Sequence, residues 1–142
     1  SYLTVENKVE TLYKEKGSKF FSFVFPVKDL SEVKSILDEL KKKYYDATHH
    51  CYAYILGFEK EVFRMNDDGE PSSTAGKPIY GQLQSKNLTN VLLVVIRYFG
   101  GTKLGVSGLI KAYKTAAAEC LSAAMIVEKK VRLSYKVMFP YE

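Results

Sequence analysis

Residues 90–113 read NVLLVVIRYFGGTKLGVSGLIKAY. Asn90 to Tyr98 is a continuous apolar run, not an alternating one, which is the pattern of a central strand covered on both faces or nearly so. Gly100, Gly101, Gly105 and Gly108 follow in quick succession. Beyond them Leu109, Tyr113, Ala116, Ala117, Cys120, Leu121 and Ala124 recur at helical spacing, and the alanines leave a small-residue face for close packing on a sheet. A strand, a glycine-rich turn and a helix start bring free backbone N–H groups and the positive end of a helix to one point, with Arg97, Lys103 and Lys111 nearby. That combination suits an anion, yet the spacing is neither G-x-x-x-x-G-K-[ST] nor G-x-G-x-x-G. Two readings stand: Arg97, Gly100, Gly101, Lys103, Gly105, Ser107, Gly108 and Lys111 hold a phosphate or nucleic acid, or the glycines only permit a tight turn and close helix packing.

Upstream, DDGEPSSTAG over residues 67–76 places three carboxylates, Asp67, Asp68 and Glu70, within four residues, with Thr74 close behind. Such a turn could hold Mg²⁺, which needs only one or two carboxylates with water completing its shell. It could equally be a solvated turn whose acids pair with Arg97 or Lys103, or cap the next helix. His49 and Cys51 share one face of a strand while His50 points to the other, so the three cannot ligate one metal together. A core thiol with a hydrogen-bonded histidine fits better than a nucleophile pair, because nothing in the sequence supplies a group to orient the base.

The remaining segments frame these motifs. Val5 to Lys16 and Phe20 to Val27 read as a β-hairpin broken at Gly17-Ser18. Asp29 and Glu32 form a capping-box pattern ahead of Leu30, Val33, Ile36, Leu37, Leu40 and Tyr44, which predicts a helix over 30–44. A strand across His49 to Leu56, a short one around Val62 to Met65, a short helix near Lys77 to Gln84 and a last strand from Val127 to Phe139 complete the pattern. Tyr52 and Tyr54 lie on the His50 face; alternate aromatics serve either as core or as platforms for unpaired bases.

Composition bounds the function classes. The 142 residues are 46% hydrophobic and 26% charged, with nine Gly and four Pro; that is one globular domain, or one plus a fragment of another, and excludes disordered and collagenous classes. No apolar run approaches the roughly 20 residues a bilayer crossing needs, and SYLTVENKVE has no secretory character. Two cysteines, Cys51 and Cys120, form no disulfide framework and are expected to be reduced and unbonded to one another, so cytoplasm is the expected location. The net charge of +5 is uneven: Lys plus Arg against Asp plus Glu is 10 to 9 in residues 1–60, 3 to 4 in 61–90 and 8 to 3 in 91–142. One-sided basic charge suits a polyanion such as RNA, although it also serves solubility.

Three stretches together, Ala47 to Tyr54 (ATHHCYAY), Asp67 to Pro78 (DDGEPSSTAGKP) and Asn90 to Tyr113, resemble the amino-terminal domain shared by bacterial YigZ-type proteins and eukaryotic IMPACT proteins. The resemblance covers roughly residues 1–126. Three positions depart from it: His50 stands where the family usually has Asn, and Ser73 and Ser107 where it favours Gly. The resemblance implies an α+β fold like domain 2 of ribosomal protein S5, a two-layer sandwich whose mostly antiparallel or mixed sheet carries two main helices on one face. It further implies a domain over 1–127, with 128–142 holding the last strand and the start of a ferredoxin-like second domain that is truncated or missing. IMPACT proteins restrain a translation-regulating stress kinase by competing for its activator. The first expectation is therefore a non-enzymatic cytoplasmic module that binds RNA or a ribosome-associated translation factor, without cofactor. The alternative is an enzyme or small-molecule binder with a phosphate-binding glycine turn and a Mg²⁺-holding acidic turn. A pure protein-interaction domain is the third.

Overall fold

The computed structural model describes residues 1–131. Ten elements follow in order: β1 (Tyr2–Val5), β2 (Val9–Glu15), β3 (Ser18–Pro26), α1 (Leu30–Lys43), β4 (His49–Leu56), β5 (Val62–Asn66), α2 (Gly76–Ser85), β6 (Val91–Tyr98), α3 (Gly105–Ala123) and β7 (Ile126–Lys129). Strands 2 to 6 build a five-stranded antiparallel sheet in the order β2-β3-β6-β4-β5, and β1 pairs with β7 in a separate two-stranded ribbon.

The β2–β3 hairpin turns at Lys16 and Gly17, both with positive φ (48° and 83°), the two-residue geometry that matches the twist of the strands it joins. In α1, Asp29 accepts the Glu32 amide at 2.8 Å, as the capping pattern predicts, while the Glu32 carboxylate takes the amide of Lys28, one residue earlier than in a strict capping box. The central strand β6 is buried along Val91 to Arg97.

Alternate residues of β6 enter two cores. Val91, Leu93 and Val95 join Cys51, Ala53, Ile55, Phe20 and Val24 beneath α2 and α3. Leu92, Val94 and Ile96 join Phe23, Tyr52, Tyr54 and the Val33, Leu37 and Leu40 stripe of α1 on the opposite face. Two helices, α2 and α3, thus share one face as expected. The third, α1, adds a layer beyond the two of the sandwich, in agreement with the unbroken apolar run of β6, which has no solvent face to mark with polar residues.

Two expected strands change at the ends of the chain. Val5 belongs to β1 and not to the hairpin, and β7 stops at Lys129 instead of running on through Lys130 and Val131. Its register with β1 runs from Ile126 opposite Val5 to Lys129 opposite Tyr2. The rest of that expected strand, and the expected start of a second domain, lie outside the described residues.

Candidate functional site

The acidic turn and the end of β6 meet at one buried carboxylate. Glu70 is 7% exposed and Arg97 5%. Arg97 Nη1 lies 2.9 and 3.1 Å from the two oxygens of Glu70, and the Tyr113 hydroxyl donates to the same carboxylate. His49 Nε2 is 3.5 Å from it, while His49 Nδ1 sits 2.8 Å from the Asp68 carbonyl. On the far side of the guanidinium, Ser18 Oγ accepts from Arg97 Nε and Nη2 at 3.4 and 3.3 Å and from the Gly100 amide at 3.2 Å. Phe20 and Phe99 lie 5.8 and 5.5 Å from the guanidinium carbon. β3, β4, β6, α3 and the acidic turn are therefore braced at a single point.

Each carboxylate of the turn has a protein partner. Asp67 Oδ1 accepts the amides of Ala75 and Gly76 at 3.1 and 2.8 Å, and Oδ2 accepts the Ser73 amide at 2.9 Å. It thereby caps α2, which has no side-chain cap of its own, from nine residues upstream of Gly76. Asp68, at φ 40°, accepts the His50 amide at 2.6 Å. Thr74 is buried and donates to the Pro71 carbonyl at 2.6 Å. Among the described residues no group of three or more His, Cys, Asp or Glu side chains is placed so that it could hold a metal ion. Of the alternatives the sequence left open for this turn, the geometry realises the pairing with Arg97 and the helix cap.

Cys51 is fully buried and its thiol donates to the Asp67 carbonyl at 3.1 Å, 3.5 Å from the Tyr113 hydroxyl. Burial pushes both the Cys51 thiol and the Tyr113 hydroxyl far up, the thiol despite its contact with Tyr113, so both stay protonated and neither is a nucleophile at neutral pH. Cys51 and Cys120 are both free thiols.

The glycine turn divides between interior and surface. Arg97 faces inward, so its guanidinium is not presented to an external anion as the sequence pattern allowed; an Arg with a buried carboxylate partner pairs there instead of remaining solvated. Gly100 touches the hairpin turn so closely that a Cβ would overlap the Gly17 backbone. Gly101 and Gly105 have positive φ (92° and 77°). Lys103, Ser107 and Lys111 are exposed, and α3 starts without a side-chain cap or an acidic residue in its first turn. Lys16, Leu104, Gly108 and Lys111 border a hollow of about 120 Å³ beside that helix start. The residues missed by sequence reasoning are Ser18, read as a turn breaker, and Tyr113, read as packing. A hydroxyl-bearing ring on an otherwise alanine-rich face was the signal for the second, since a buried tyrosine hydroxyl needs a partner.

A profile of the Impact N-terminal domain matches residues 16–121. The chain belongs to the Impact N-terminal domain family. The IMPACT family member YvyE of Bacillus subtilis (strain 168) is 39% identical over 131 residues, covering 92% of this chain and 60% of that protein. The IMPACT family member YigZ of Escherichia coli (strain K12) is 30% identical, covering 99% of this chain and 70% of its own. A crystal structure of a hypothetical protein superposes with a TM-score of 0.85 at 30% identity, covering 89% of this chain and 62% of the other. The chain thus spans about two thirds of the length of these relatives. The matched span contains the Glu70–Arg97 brace, α1, α2 and most of α3, and Ser73, one of the family departures, occupies a left-handed conformation (φ 64°) in which glycine has no steric cost.

Proposed function

We propose that this Impact N-terminal domain is a cytoplasmic, non-enzymatic module that binds RNA in the regulation of translation. The observation that carries the reading is the start of α3. Its uncapped, acid-free first turn stands beside exposed Lys103 and Lys111, and Lys16 of the hairpin turn borders the same hollow. A positive helix end flanked by lysines favours phosphate oxygens, and contacts of this kind position a polyanion without reading its sequence. The buried brace supports the reading from the other side: its polar groups are turned toward one another, and around the hollow Lys16 and Lys111 stand against the single carboxylate of Glu15. Among the described residues no helix is long and apolar enough to cross a membrane, and the family resemblance supports a role in translation.

The test is fluorescence anisotropy of a labelled single-stranded RNA at about 50 and about 200 mM salt. Binding is expected to weaken steeply with salt. Lys103→Ala with Lys111→Ala is expected to flatten the slope of log affinity against log salt by about 1.4, two contacts at about 0.7 each. Absence of binding at the lower salt overturns the reading in favour of a protein partner. Mononucleotide binding that requires Mg²⁺ and disappears in Asp68→Ala overturns it in favour of an enzyme.

A further inference from the structure

The sheet face that α1 covers continues past the helix into the open. One row across three strands of this face reads Lys14, Lys19, Tyr98, since Lys14 is opposite Lys19 and Lys19 is opposite Tyr98. Phe21, two residues along β3, meets Tyr98 edge-on at 5.8 Å, and Tyr44 at the end of α1 stacks near it at 6.1 Å. Gly17, Lys19, Phe21, Tyr44, Tyr98 and Phe99 line a groove of about 340 Å³, inside the range of about 300–1,000 Å³ in which small-molecule sites fall.

The rings are fixed from behind. The Tyr98 hydroxyl donates to Asp46 at 2.8 Å, and the Phe99 amide donates to Thr48 Oγ1 at 3.0 Å. Phe99 is 46% exposed, lines the groove and has the buried Arg97 guanidinium over its ring, 5.5 Å from the ring centre. A ring held in this way stacks on a planar partner with little ordering cost.

The charge around the groove selects the partner. Lys14 and Lys19 are exposed and directly opposed, and among the described residues neither takes part in an ion pair. Like charges opposite one another destabilise a sheet, and a phosphate shared between them turns that repulsion into attraction. Lys41, Lys42 and Lys43 close α1, with Lys43 Nζ 5.6 Å over the Tyr44 ring. Two carboxylates lie near, Asp46 bonded to the Tyr98 hydroxyl and Glu15 to the Tyr13 hydroxyl, and the five lysines outnumber them.

We infer that this groove seats an unpaired base of single-stranded RNA, stacked on Phe99 and the Tyr98–Phe21 pair, with the adjoining phosphate on Lys14 and Lys19. Aromatic rings beside basic side chains recognise unpaired bases in this manner on other sheets. The inference rests on the RNA-binding reading above and adds a base site to its phosphate contacts.

The chain contains no tryptophan, so Phe99→Trp supplies a single fluorescent reporter at the rim. A short oligouridylate is expected to quench that tryptophan. An abasic oligomer with the same phosphate backbone is expected to bind by anisotropy at low salt and leave the fluorescence unchanged. Phe99→Ala is expected to weaken oligouridylate about 5- to 150-fold, the loss of one stacked base, without changing the affinity for the abasic strand. Equal affinity for the two strands with no quenching overturns the base site and leaves phosphate binding intact. Failure of both strands to bind at low salt overturns the site together with the reading it rests on, as does quenching by an acidic peptide but by neither strand.

Discussion

Glu70 is the residue on which the two glycine-bearing turns converge, and its surroundings decide what it does. A carboxylate that is 7% exposed and receives a guanidinium and a tyrosine hydroxyl has no side left open to a substrate. Removing one member of a buried ion pair strands the other. Glu70→Gln is therefore expected to cost about 3–5 kcal/mol in urea denaturation, and Glu70→Gln with Arg97→Met less than the sum of the two single changes. A cost below about 1 kcal/mol for Glu70→Gln would mean that water reaches the pair. The pairing itself was legible in the sequence, because opposite charges stood at two strand ends with helices following. Ser18 was not legible: a small hydroxyl beside a glycine reads as a turn, and only the fold brings it across 79 residues to Arg97.

Elements with local signals were read closely, and the β1–β7 ribbon, held by partners far apart in sequence, was not. The stripe and cap of α1 lie within fifteen residues of sequence, so its bounds follow from periodicity and Asp29. For α2, expected near Lys77 to Gln84 and found over Gly76–Ser85, the cap comes from Asp67, one of the acids the sequence offered for it, and the family departure at Ser73 shows how tight that loop is. Ser73 holds φ 64° while its amide binds Asp67. A left-handed conformation costs an L-residue more than glycine's extra freedom in the unfolded chain. Ser73→Gly is expected to stabilise the domain by about 0.5–1 kcal/mol. Gly100→Ala should do the opposite, because its Cβ overlaps the Gly17 backbone and both turns must shift, at about 1–3 kcal/mol. Thermal melts of the two variants check both signs, and a neutral Gly100→Ala would show that the turns do not touch.

At the scale of the whole molecule, β1 fastens parts of the chain that the sequence gives no reason to associate. Tyr2 to Val5 pair with Ile126 to Lys129, the Thr89 amide donates to the Leu3 carbonyl at 2.9 Å, and the Thr4 hydroxyl donates to the Asn90 carbonyl at 3.1 Å. The ribbon therefore ties the end of α3 to the start of β6, across sequence separations that no window of periodicity spans. Val5 is fully buried, and its burial alone contributes about 1.5–3 kcal/mol. The five-stranded sheet, however, shares no strand with the ribbon. Deleting residues 1–5 is expected to lower the urea midpoint and expose the amides of 126–129 to rapid hydrogen exchange, while β3 and β6 keep their protection, since the sheet and its two cores form the more stable unit. Simultaneous loss of protection in β6 would show instead that ribbon and sheet unfold as one cooperative unit, with β1 acting as the sixth strand of the core in all but hydrogen bonding.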